Sequence, residues 1–206
     1  ERSATQTVIG TGLYRGEERM LAVYRAAGFE QGTSYWRMQI DLPRDSRVGI
    51  QVPDGVQISS VDPQDDSVMA TALRLRNDTF SGHHGHVDMT FDDYAEVWRN
   101  STKYDPTAWW FAYSEGEPIG LCLGDESRIE EAGGYVRTLG VSQATRGRGI
   151  ARALLMTAFA EYARRGRSCV QLGVDTGNVS GAVRLYESVG MRPVVTIDSL
   201  ELAVSV

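Results

Sequence analysis

From residue 150 to 164 apolar side chains recur at Ala151, Leu154, Leu155, Ala158 and Tyr162. That is the spacing of one face of a helix, so the pattern predicts a helix over Ile150 to Arg164. Before it, Gly134 to Val141 reads as a strand, and after it Cys169 to Val174 reads as a buried strand. Upstream, Ala108 to Tyr113 and Pro118 to Leu123 are aromatic and aliphatic runs flanking Ser114-Glu115-Gly116-Glu117, which predicts a hairpin with a four-residue turn. Val56 to Val61 alternates as a short strand, and Asp62-Pro63 offers an N-cap and first-turn proline for a helix to about Thr79. Thr90 and Asp93 form a capping-box pair for a second helix holding Phe91, Tyr94, Val97 and Trp98. A last helix and two strands close the chain. The predicted order is β-α-α-β-β-β-α-β-α-β-β, an α/β (α+β) fold with a mixed, mostly antiparallel sheet flanked by helices.

Length and composition narrow the picture. The 206 residues exceed one small domain, and 42% hydrophobic with 23% charged residues suits a globular core. Two prolines, charges and glycines interrupt any period from Pro43 to Gly55, so residues 44–55 read as a linker that divides the chain into residues 1–43 and a main domain at residues 56–206. A net charge of -6 and a pI near 5.1 argue against nucleic acid and anionic membrane as partners, since both need a basic face. Cys122 and Cys169 sit in apolar runs and make no disulfide framework, which suits a reducing cytoplasm. No apolar stretch has the length of a membrane span, and the first residues lack the pattern of a signal peptide. The first residue, Glu1, reads as the start of a processed or truncated piece.

The chemistry concentrates at Gly140-Val141-Ser142-Gln143-Ala144-Thr145-Arg146-Gly147-Arg148-Gly149-Ile150-Ala151, between strand and helix. Gly147 and Gly149 let successive backbone N–H groups and the helix N-terminus face an anion, and Arg146 and Arg148 add positive charge. The same short pattern also suits a surface turn with two solvated arginines. About thirty residues later comes Asn178-Val179-Ser180-Gly181-Ala182-Val183-Arg184-Leu185-Tyr186-Glu187-Ser188-Val189-Gly190-Met191. The two segments together resemble the GNAT superfamily of N-acetyltransferases. Arg146, Gly149 and Ala151 match its R/Q-x-x-G-x-G/A loop, and Asn178, Tyr186, Gly190 and Met191 match its second signature.

The resemblance implies the GNAT fold and acetyl-coenzyme A as cosubstrate, held by Leu139, Gly140, Val141, Arg146, Gly147, Arg148, Gly149, Ile150, Ala151, Asn178 and Tyr186, with no metal. It implies acetyl transfer by direct attack of an amine, through a tetrahedral oxyanion stabilised by a backbone N–H near Leu139 to Val141. Tyr186, a phenol with an ordinary pKa near 10, is the candidate acid for the departing thiolate. Asn178 would orient the pantetheine arm or its own helix, and a plain core aromatic is the other reading of Tyr186. Many family members place a glutamate on the strand before the loop as base. Here that strand, GGYVRTLGV, has none, and Glu130, Glu131 and Tyr135 are the nearest candidates.

His83, His84 and His86 offer three imidazoles with only Asp88 nearby, so substrate contact or a solvated loop is expected rather than a metal site. Trp109, Trp110 and Phe111 read as core. An offset of 162 residues aligns Tyr24 with Tyr186, Gly28 with Gly190, Phe29 with Met191, and Tyr35 to Leu42 with Ile197 to Val204. At that offset Gly16 stands where Asn178 stands. Residues 1–43 therefore resemble the C-terminal remnant of a preceding GNAT domain, a tandem, mycothiol synthase-like arrangement, with Met20, Val23, Tyr24, Phe29, Trp36, Met38 and Ile40 as its apolar contacts. The expected acceptor is an amine of a small molecule or peptide, with mycothiol biosynthesis, antibiotics, polyamines, amino acids and peptide N-termini all open, and the chain could pair as a homodimer. The alternative is a non-catalytic acyl-coenzyme A-binding sensor or assembly module, which the missing strand glutamate favours.

Overall fold

The computed structural model describes residues 6–42, 49–81, 88–177 and 181–205. Two compact units result, one of residues 40–172 and one combining residues 1–39 with 173–206.

In the unit of residues 40–172 the strands run β7-β6-β5-β4-β3. They are β3 (Val56–Ser60), β4 (Tyr104–Ser114), β5 (Glu117–Asp125), β6 (Gly133–Val141) and β7 (Cys169–Asp175), the last running on into the other unit. All neighbours are antiparallel except β6 and β7, which pair in parallel. One face is covered by α2 (Asp66–Phe80) and α3 (Phe91–Arg99): Met69, Ala72, Leu75, Tyr94, Ala95 and Trp98 bury against Trp109, Phe111, Leu121 and Leu123. Strand alternation sends Trp110, Ala112 and Cys122 to the opposite face, and α4 (Ile150–Arg164) packs on β4, β5 and β6. Tyr162 of α4 lies over Gly124 and Gly134, where an added Cβ would come within 2.2 Å of its hydroxyl and 2.4 Å of its ring. The mixed, mostly antiparallel sheet with flanking helices is the architecture expected from the sequence.

Three boundaries differ from the sequence pattern. Asp62-Pro63 forms a turn of its own, with Asp62 Oδ1 accepting from Gln64 N–H; the helix starts later, capped by Asp65, whose Oδ1 accepts from Ser67 N–H at 2.8 Å. The hairpin loop is two residues, not four. Glu115 and Gly116 both have positive φ, the turn whose twist matches that of paired strands, and Ser114 pairs with Glu117. The two closing strands are one, β8 (Arg192–Ser205). Thr90 caps its helix as read, with Asp93 N–H donating to Thr90 Oγ1 at 3.2 Å, while Asp93 Oδ2 accepts from the Thr90 hydroxyl at 2.7 Å in place of the backbone N–H of a full capping box.

The other unit holds β1 (Gln6–Tyr14), α1 (Glu18–Ala26), β2 (Glu30–Asp41) up to Gln39, α5 (Ala182–Ser188) and β8, with strand order β1-β8-β2. Glycines at 10 and 12 hide β1 in the sequence pattern. Tyr35 pairs with Ile197, its own equivalent at the 162-residue offset, and the pair Ser34 with Asp198 exchanges with the pair Trp36 with Thr196. A local two-fold therefore runs between β2 and β8. Met38 is buried and Tyr24, Phe29, Trp36 and Ile40 are half-buried, but Met20 and Val23 stay 44% and 60% exposed, and α1 buries no residue.

Candidate active site

Strand β6 is paired along β5 for most of its length, with Gly120 opposite Val141 and Asp125 opposite Tyr135. Its parallel ladder to β7 is shorter, running from Gly133 with Cys169 to Val136 with Leu172. From Arg137 to Val141 β5 is the only strand paired with β6 among the described residues of its unit. Ser142 N–H donates back to Ile119 O at 2.9 Å. Because donors alternate along a strand, Gly140 N–H also faces β5, and the N–H groups of Leu139 and Val141 face the open edge.

The chain then makes a single 3-10 turn at Gln143–Thr145 and enters α4 through Gly147 and Gly149, with φ of 78° and 80°. Both glycines are dictated by that left-handed backbone, which side chains resist by about 1–2 kcal/mol. A Cβ on Gly147 would meet no described atom within 4 Å, and one on Gly149 only Pro53 Cγ at 3.9 Å. No side chain caps α4, and its first helical bond is Ala153 N–H to Gly149 O at 3.0 Å. The first-turn N–H groups and the positive end of the helix dipole thus share one face with the glycines, the donor set that fits a pyrophosphate.

The two arginines are placed differently. Arg146 donates from Nε to Val141 O at 3.3 Å and from Nη2 to Thr79 O at 3.0 Å, and Ser142 Oγ donates to Asp78 Oδ2 at 2.8 Å. Arg146 is therefore a brace between the loop and the end of α2, a role the sequence did not reveal. Arg148 is exposed, with Nη2 3.5 Å from Asp54 O. Gly140 is needed for close approach, since a Cβ there would stand 2.7 Å from Thr79 Cγ2. Leu139 is half-buried, and Gly140, Val141 and Ile150 are buried.

Among the expected bases, Glu131 receives Arg128 Nη1 at 2.9 Å and Gln171 Nε2 at 3.3 Å, Glu130 is exposed, and Tyr135 lies under the Arg128 guanidinium at 5.9 Å. Tyr186 belongs to α5 in the other unit, is 8% exposed, and its carbonyl accepts from Met191 N–H at 3.0 Å. Asn178, His83, His84 and His86 lie outside the described residues. Cys122 and Cys169 are free and buried, burial pushing the Cys122 thiol up to about 12. Among the described residues no group of three or more metal-ligating side chains occurs, and no helix is long and apolar enough to cross a membrane.

The sequence profile of the acetyltransferase (GNAT) family matches residues 69–191, from α2 through the second signature. The chain is 30% identical over 191 residues to a mycothiol acetyltransferase of Thermobispora bispora, covering 88% of this chain and 62% of that protein. It thus spans about three-fifths of that relative's length. A solved GCN5-related N-acetyltransferase from Sphaerobacter thermophilus superposes with a TM-score of 0.79 at 27% identity, over 98% of this chain and 62% of that one. A tandem GNAT protein from the clavulanic acid biosynthesis pathway shares the fold, with a TM-score of 0.67 at 15% identity, over 97% of this chain and 64% of that one. With its loop, its strand order and its profile match all in agreement, the chain belongs to the acetyltransferase (GNAT) family.

Proposed function

We propose that this chain transfers an acetyl group from acetyl-coenzyme A to the amine of a small molecule or peptide by direct attack. The observation that carries the reading is the open edge of β6 leading straight into the left-handed glycines and uncapped N-terminus of α4. Gly147, Gly149, Ile150 and Ala151 would receive the pyrophosphate through backbone N–H groups, with Arg148 adding charge and Arg146 holding the loop in shape. The N–H of Leu139 or Val141 would donate to the oxyanion formed when the amine attacks the thioester, a contribution typically worth about 10² to 10³ in rate. Collapse of that intermediate breaks the carbon–sulfur bond, and Tyr186 would give its proton to the leaving thiolate, with Asn178 steadying the arm or the helix. The attacking ammonium must first lose a proton; with Glu131 already bonded by Arg128 and Gln171, a water relay to Glu130 or Tyr135 is the route this chain offers. Two buried free thiols suit a reducing cytoplasm.

The relatives' name makes mycothiol formation one case for the acceptor, beside other small amines and peptides. The absence of a carboxylate on β6 supports a second reading, a module that binds acyl-coenzyme A without turnover. Incubation with acetyl-coenzyme A and an amine panel, following free thiol, separates them: amine-dependent thiol release is expected. Tight coenzyme A binding with no release from any amine would establish the module instead.

A further inference from the structure

Arg137 stands at a singular point of β6. The register with β5 slips between Leu123 opposite Thr138 and Gly124 opposite Val136, which makes Arg137 the extra, bulged residue. It is also the first residue past Val136 with Leu172, where the parallel ladder to β7 ends. A bulge re-aims its side chain, and here three elements hold the result. Arg137 Nε donates to Asp125 Oδ2 at 2.5 Å and Nη2 to Ser127 Oγ at 3.3 Å, while the guanidinium carbon lies 5.7 Å from the centre of the Trp98 ring. Each support is itself fixed. Asp125 is 1% exposed and its Oδ1 accepts from Ser127 N–H at 2.9 Å; Trp98 is wedged edge-on between Trp109 and Tyr104, with centroids 4.7 and 6.4 Å away.

The outer edge of the guanidinium is left over. A guanidinium has five donors, and these bonds occupy two of them. The side chain is 45% exposed, and Nη1 has no hydrogen-bond partner among the described residues. Satisfying buried Asp125 would need only the Nε edge. A planar fork immobilised on one edge and one face, with its other edge toward solvent, is preorganised for a carboxylate, because the ordering cost has been met before the ligand arrives. Leu139 follows two residues later, about 7 Å along the strand, with its N–H on the open edge.

We infer that Arg137 is a specificity-determining residue that receives a carboxylate of the acceptor, so that the acceptors are amines also carrying a carboxylate: amino acids or peptides with a carboxylate near the reacting amine. This rests on the acetyl-transfer reading above. Lysine would not replace it, since an ammonium offers neither the fork nor the stacked face.

The test compares α- and ω-amino acids with their primary amides as acceptors, in the parent chain and in Arg137→Gln, by kcat/KM for thiol release. Dividing the parent's carboxylate-to-amide ratio by the variant's cancels the different basicity of the two amines. Arg137→Gln should lower the parent's carboxylate-to-amide ratio about 10- to 100-fold, the size of a lost charge-assisted hydrogen bond. Arg137→Lys should recover little of it. Coenzyme A affinity by calorimetry reports whether each variant keeps its fold, and Ser127→Ala, which removes only one brace, should lower the ratio by a smaller factor. A ratio unchanged in Arg137→Gln overturns the inference while leaving acetyl transfer intact. Calorimetric titration of the same acceptors into the coenzyme A complex, where no acetyl group is present, separates the other failure. Carboxylate-selective binding that depends on Arg137 but is accompanied by no turnover would sustain the carboxylate site and sink the transferase reading.

Discussion

Helices α1 and α5 end in the same device and differ in everything around it. Gly28 and Gly190 have φ of 88° and 92°, and Phe29 N–H and Met191 N–H each reach back to the carbonyl of Tyr24 and Tyr186 at 3.0 Å. Around α5, however, Tyr186 and Met191 are 8% and 3% exposed, whereas α1 buries no residue and leaves Val23 60% exposed. Where the second copy has Asn178 the first has Gly16. The repeat therefore separates two meanings held in one signature. Its glycine and following apolar residue are a way of ending a helix in left-handed backbone, kept in both copies; the proposed acetyl transfer draws instead on the tyrosine and asparagine positions, and only the second copy has both.

The largest expected effect tests whether cofactor binding belongs to the repeated frame at all. Gly149→Glu, at the start of α4 and outside the repeat, should eliminate measurable coenzyme A binding in calorimetry, because it forces a side chain into φ of 80° and sets a negative charge beside phosphates. Retained affinity would move the binding site away from this loop. Next in size, Tyr186→Phe should lower turnover by about 10² to 10⁴ with little change in cofactor affinity, since it deletes only the proton. Tyr24→Phe, the same change in the other copy, should leave turnover at the parent level. Equal rates for both variants would return Tyr186 to the core.

The shared device makes a smaller prediction, in which the copies should agree. Gly28→Ala and Gly190→Ala each place a Cβ in left-handed backbone, at a cost of about 1–2 kcal/mol. At Gly28 the added atom would meet only Leu202 Cδ1 at 3.4 Å, an ordinary contact, so strain in the backbone is the whole effect there. Thermal midpoints should fall by roughly 2–4 °C for each kcal/mol in a chain of this length. A harmless Gly28→Ala beside a damaging Gly190→Ala would show that the two caps are not equivalent.

What could be read from the sequence divides along the range of the interactions involved. Helix α4 and the glycine loop before it were legible because a 3.6-residue period and two glycines are local signals. The Thr90 N-cap was legible for the same reason. The single length of β8 was not: the polar pair Asp198-Ser199 lies in its middle, and Asp198 is satisfied within the strand by Arg15 and Ser34, more than 160 residues away. Arg146 was legible as a cation near the loop and illegible as a brace, since Thr79 O becomes its partner only when α2 packs beside β6. Arg137 gave no signal, because its meaning requires Asp125, Ser127, Trp98 and a one-residue slip in strand register. The partly exposed contacts of α1 were misjudged because helical spacing names an apolar face without naming what covers it.

The smallest prediction sets an acid of one unit against an acid of the other. In α4, hydrogen bonds from Arg164 and then Arg165 hold the Glu161 carboxyl down at about 2, from an ordinary 4.5. In the unit of β1 and β8, hydrogen bonds from Arg15 and then Ser34 hold the Asp198 carboxyl below its ordinary 3.8. Both shifts are depressions, so both contribute stability that is fully present above the ordinary carboxylate range and is lost as pH falls through the folded-state value. For Glu161 the loss runs from about 4.5 down to about 2. Solvent reaches both pairs, with Arg164 72% and Arg15 57% exposed, so screening keeps the effect below that of the glycine caps. Glu161→Gln and Asp198→Asn should therefore each lower the thermal midpoint slightly at pH 7, with the deficit shrinking as the pH approaches 3. Added salt at pH 7 should shrink it as well. A deficit that grows on acidification would mean that the carboxyl is held in its neutral form, and it would reverse the sign assigned to that pair.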